Sequence, residues 1–99
     1  MRLTPYQCAS IKRETEALFG ERAEVRVFGS RLNDTSKGGD IDLIVSTQQP
    51  VARPALSAAK LATKLSRVFD GRKVDVLIHS PTLKELPIHR FALDSGERL

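Results

Sequence analysis

Phe28-Gly29-Ser30 and, after the nine residues Arg31 to Gly39, Asp40-Ile41-Asp42-Leu43-Ile44-Val45 are the stretches whose reading decides the fold. The second is rich in β-branched and aliphatic residues and reads as a strand. Side chains alternate along a strand, so Asp40 and Asp42 point to one face while Ile41, Leu43 and Val45 point to the other, into a core. Two neighbouring anions repel each other and cost stability. A hard divalent cation with oxygen ligands is what such a pair serves.

Working outward, Glu24-Val25-Arg26-Val27-Phe28 alternates as a half-buried strand with Val25 and Val27 inward. Gly29 ends it, where the chain can turn tightly and bring backbone close to a ligand. Ser30 is placed to cap a short helix whose free N–H groups face an anion. Alone, Gly29-Ser30 would read as an ordinary strand-to-helix turn. With the aspartates downstream, phosphate contact is the better reading. Lys73-Val74-Asp75-Val76-Leu77-Ile78 is a further strand. The parity that buries its valines puts Asp75 on the face of Asp40 and Asp42 if the two strands are neighbours. Three carboxylates on one polar surface suit Mg²⁺ shared with substrate phosphates.

The ordered set of Gly29-Ser30, Asp40-x-Asp42 and a later strand Asp75 resembles the signature of the nucleotidyltransferase superfamily that includes DNA polymerase beta. The chain is most similar in length to its minimal, MNT-type branch, whose members are often antitoxins paired with a HEPN-domain toxin. The likeness spans roughly Arg22 to His79 strongly and Pro81 to Leu99 more loosely. It implies a nucleotidyltransferase fold of the α/β (α+β) class, a small mixed β-sheet with helices packed on one face. It also implies roles. Asp40 and Asp42 would bridge two Mg²⁺ ions (Mn²⁺ as substitute), and Asp75 would hold the catalytic ion and help deprotonate the acceptor. Gly29 and Ser30 would cradle the phosphates of ATP or another nucleoside triphosphate, with Arg31 as a further phosphate contact.

The 99 residues, 40% hydrophobic and 28% charged, fit one ordinary globular domain over 1–99. No apolar run approaches the ~20 residues of a membrane span, and no signal-peptide core opens the chain. A single cysteine, Cys8, forms no internal disulfide, and a cytoplasmic location is expected. The net charge of +4 is spread along the chain, and aromatic residues are only 5%. Nucleic-acid binding as the main role is therefore disfavoured, since stacking platforms are scarce.

The remaining elements read as helices. Thr4-Pro5-Tyr6-Gln7 is a capping box with Pro at the first helical position. Cys8, Ile11, Thr15 and Leu18 follow at helical spacing, and Gly20 ends the run. A second helix is expected from about Pro54 to Phe69, with Ala58, Leu61, Leu65 and Val68 inward. Lying between two strands, it makes a crossover connection. A third is expected from Pro87 to Ser95, stopped by Gly96. His79 and His89 lack zinc-ligand spacing and read as structural or solvent-facing.

The resemblance leads to one expected function: transfer of AMP from ATP to a hydroxyl of a HEPN-type partner protein, by an MNT-type antitoxin. Two alternatives stand beside it, a partner-binding antitoxin module without catalysis and a terminal transferase acting on RNA. Homo-oligomer formation is left open.

Overall fold

The computed structural model describes residues 3–29 and 41–99. Ser30, Arg31 and Asp40 lie outside the described residues. Helix α1 (Pro5–Phe19) opens with the expected capping box. The Gln7 N–H donates to Thr4 Oγ1 at 3.1 Å, and the Thr4 N–H donates to Gln7 Oε1 at 2.9 Å. Strands β1 (Glu24–Phe28) and β2 (Ile41–Ser46) follow, then helix α2 (Pro54–Val68) and strand β3 (Val74–His79). Helix α3 (Pro87–Ser95) and a two-residue strand β4 (Glu97–Arg98) complete the described chain.

The sheet runs β3-β2-β1-β4. It is mixed: β1 is antiparallel to β2 and β4, whereas β2 and β3 are parallel. Parallel neighbours need a long crossover, which α2 supplies. One face of the sheet carries Val25, Val27, Ile41, Leu43, Val45, Val74 and Ile78, packed under Ile11 of α1 and Leu61 and Leu65 of α2. The alternation of the strands thus becomes the main core.

The expectation of helices on one face describes α1 and α2, while α3 lies on the other side of the sheet. Ala92 of α3 is fully buried there against Phe28 and Ile44, with Leu77 and Leu93 beside them. The reason is the parity of those strand residues. Phe28, Ile44 and Leu77 point away from the main core, and apolar surface on that face needs its own cover.

Helix α3 is fixed at both ends. At its start, buried His89 takes the Leu86 N–H on Nδ1 at 3.0 Å and donates from Nε2 to the Ile78 carbonyl at 3.1 Å. That pairing assigns the neutral tautomer with the proton on Nε2; of the two readings the sequence left open, structural or solvent-facing, His89 takes the structural one. At its end, Gly96 lets the chain turn straight into β4. A Cβ at Gly96 would collide with the Ala92 carbonyl oxygen and crowd Arg26 Cβ at 3.1 Å. Among the described residues, no helix is long and apolar enough to cross a membrane.

Replacing His89 by Leu keeps volume but strands the Ile78 carbonyl and the Leu86 N–H. An expected loss of about 1–3 kcal/mol follows from leaving buried polar groups unpaired. Urea unfolding of His89→Leu measures it, and an unchanged midpoint would mean that water replaces both bonds.

Candidate active site

The parallel ladder sets Asp42 directly beside Asp75, with Leu43 beside Val76 and Ile41 beside Val74 on alternate positions. Adjacent strands lie about 4.7–4.9 Å apart, and residues in register share a face. The main core fixes which face: burying Ile41, Leu43, Val74 and Val76 turns both carboxylates outward. Asp75 remains about half exposed, its side chain 48% accessible. Neither acid is there for packing.

The turn after β1 is built around the same carboxylate. Phe28 is the antiparallel partner of Asp42, so Gly29 follows at the level of the acid pair. Gly29 has φ +73°, in the left-handed region that favours glycine. A Cβ on it would stand 2.6 Å from Asp42 Oδ2. Glycine is therefore favoured twice, once by the dihedral and once because a side chain here would have to displace the Asp42 carboxylate.

Positive charge reaches Asp75 from the residue just before β3. Lys73 Nζ is 3.8 Å from Asp75 Oδ1, with the lysine side chain 69% accessible. An exposed pair of this length contributes only about 0–1 kcal/mol, too little to explain an acid pair in register. Beyond Leu77, the same face carries a chain of polar contacts. His79 Nε2 donates to Glu85 Oε1 at 3.0 Å, and Arg90 reaches Glu85 at 3.0 Å and Asp94 at 3.4 Å. The His79 hydrogen bond, joined by the Arg90 charge, holds the Glu85 carboxyl below its ordinary value, and Glu85 in turn raises Arg90. With the folded value depressed, any stabilisation from Glu85 is present above its unfolded value and lost as pH falls through the folded one. This network ties α3 to the sheet at the end remote from the acids.

Of the residues singled out in the sequence, the structure brings Gly29, Asp42 and Asp75 together. Phe91 of α3, whose local sequence gives no hint of it, sits on the acid-bearing face against Phe28 with ring centroids 6.3 Å apart. Only the folding of α3 across that face puts it there. Two clefts of about 290 and 480 Å³ lie elsewhere, at the two margins of α1, and neither is lined by Asp42 or Asp75. Among the described residues, no three His, Cys, Asp or Glu gather as a metal cluster.

The family model described as nucleotidyltransferase domain matches residues 8–98. The chain belongs to the nucleotidyltransferase domain family. It is accordingly a nucleotidyltransferase enzyme, and domains of this family generally use a divalent metal. No curated protein matches the chain. The donor set of this nucleotidyltransferase domain fits such an ion: Asp42 and Asp75 are in register on adjacent strands and carry hard carboxylate oxygens.

Two substitutions separate site from scaffold. Gly29→Ala is expected to cost about 1–2 kcal/mol through its positive φ. It should also push the Asp42 carboxylate aside, weakening metal-dependent triphosphate binding by the folded protein. Calorimetry on material verified as folded checks this, and normal binding would make the turn purely structural. Lys73→Ala is expected to change stability by less than about 1 kcal/mol in thermal melts; a larger loss would restore the ion pair as the reason for Asp75.

Proposed function

We propose that this nucleotidyltransferase moves AMP from ATP to a hydroxyl of a HEPN-type partner protein, as an MNT-type antitoxin. The observation that carries the transfer is the in-register placement of Asp42 and Asp75 with the Gly29 backbone packed against the Asp42 carboxylate. The partner and the antitoxin role rest on the resemblance of the Gly29-Ser30, Asp40-x-Asp42 and Asp75 set to the minimal branch.

In this reading, Asp42 and Asp75 hold the divalent ion side, with Asp40 as the third acid assigned from sequence. Mg²⁺, or Mn²⁺ in its place, would neutralise phosphate charge and stabilise the attacking and leaving oxygens when bound. Gly29 presents backbone to the triphosphate, and Ser30 and Arg31 are assigned to the same phosphates from sequence. Asp75, half exposed beside Asp42, accepts the proton of the acceptor hydroxyl. The acceptor oxygen bonds to the α-phosphorus as the bond to the β-phosphate oxygen breaks, and pyrophosphate leaves. Positioning and charge carry most of such a reaction.

Asp75→Asn tests the reading. The variant is expected to bind Mg²⁺–ATP and the partner yet leave the partner's intact mass unchanged, while wild type adds one AMP. Equal neutralisation of the partner by wild type and Asp75→Asn would favour a contact-only antitoxin. Label appearing on RNA rather than protein would favour a terminal transferase. An unmodified partner with ATP-binding wild type would sink the proposal.

A further inference from the structure

Phe91 is 54% exposed, on the face of the sheet that carries the acids. It is not a loose surface residue. Its ring meets that of Phe28 at 6.3 Å with an interplanar angle of 80°, an edge-to-face contact. Phe28 itself is 6% exposed and locked in the smaller core. An edge-to-face contact covers at most one face of the outer ring, so Phe91 keeps a π-face open to solvent while its orientation is held. The neighbouring Ala92, fully buried against the sheet, fixes the backbone from which the ring projects.

The position relative to the acids follows from the strand register. Phe28 and Asp42 are directly opposed across β1 and β2. Their Cβ atoms are then about 4.5–5.5 Å apart on one face. Phe91 stands one ring beyond Phe28. An oriented, half-exposed aromatic ring thus lies one side chain removed from Asp42. Of the other four aromatic residues, Phe28 and Phe69 are buried, and Tyr6 and the partly buried Phe19 belong to α1 on the opposite side of the sheet.

We infer that Phe91 is the platform on which the base of the bound nucleoside triphosphate stacks. The inference rests on the acid pair engaging the triphosphate, as proposed above. Stacking is tolerant of base identity because every base offers a π-face. The larger purine rings gain more from it, so this contact selects purine over pyrimidine and does not distinguish ATP from GTP.

The test uses two probes, a non-hydrolysable ATP analogue and inorganic tripolyphosphate, each with Mg²⁺. Phe91→Ala is expected to weaken the ATP analogue about 5- to 150-fold, the range of one lost stacked base, with tripolyphosphate unaffected. Phe91→Leu, which keeps apolar packing on Phe28 but has no π-face, should lose affinity in the same way. The chain has no Trp, so Phe91→Trp provides a single tryptophan, excited selectively over Tyr6. The ATP analogue should quench it and tripolyphosphate should not. Wild-type affinity for the ATP analogue in both Phe91→Ala and Phe91→Leu overturns the platform while leaving the acid site intact. Failure of wild type to bind either probe overturns the acid-site reading and the platform with it. Equal weakening of both probes in Phe91→Leu shows a disturbed scaffold and also overturns base stacking.

Discussion

The parallel pairing of β2 with β3 is the contact on which the rest of the structure depends. A hydrogen-bonded ladder by itself tolerates several registers; burial chooses among them. Sliding β3 by one residue would send Asp75 into the core beneath α2 and expel Val74 and Val76 from it. Burying an unpaired carboxylate costs several kcal/mol, and losing aliphatic burial adds to the penalty. The hydrophobic core thus enforces the electrostatic arrangement on the opposite face. Two like charges are kept adjacent because the apolar residues alternating with them leave no better register.

The sheet divides its work between its faces. Beneath α1 and α2 lies the larger core, where Ile11, Ile41, Leu43, Leu61 and Leu65 are fully buried. Under α3 lies a smaller one, confined to Phe28, Ile44, Leu77, Ala92 and Leu93. Among the described residues, the small core under α3 reaches Phe28, Ile44 and Leu77 and does not include Asp42 or Asp75. The larger core lies on one side and the in-register acids on the other, joined through strands that transmit register.

Much of this was legible in the residues. The parity of Ile41, Leu43 and Val45 and of Val74, Val76 and Ile78 revealed the core face and, for neighbouring strands, the shared orientation of Asp42 and Asp75. Pro87 and Gly96 bracketed α3 to the residue, since a proline and a glycine punctuate backbone locally. The side of the sheet that α3 takes was not legible: it depends on Phe28, Ile44 and Leu77, scattered over three strands, jointly needing cover. Strand β4 was missed because Glu97–Arg98 is too short to show a period. It exists because Gly96 delivers the chain against Arg26 and Val27. Gly29 was read for its turn, but its packing against Asp42 is a tertiary contact that sequence separation hides. The assignments of Ser30, Arg31 and Asp40 rest on the sequence alone.

The place of β3 in the strand order gives Asp75 a second consequence. Among the described residues, β3 has a single neighbour, β2, so its other rim presents unpaired backbone groups. Such a rim is a template for strand addition by another copy, and natural sheets discourage this with charge. Asp75 and Lys73 stand on that strand's outer face, exposed and of opposite sign. Copies meeting rim to rim as antiparallel strands in a symmetric dimer could bring the two carboxylates close together. The acid that the register sets beside Asp42 would then also act as a guard against self-association, and relaxing its charge would lift that guard.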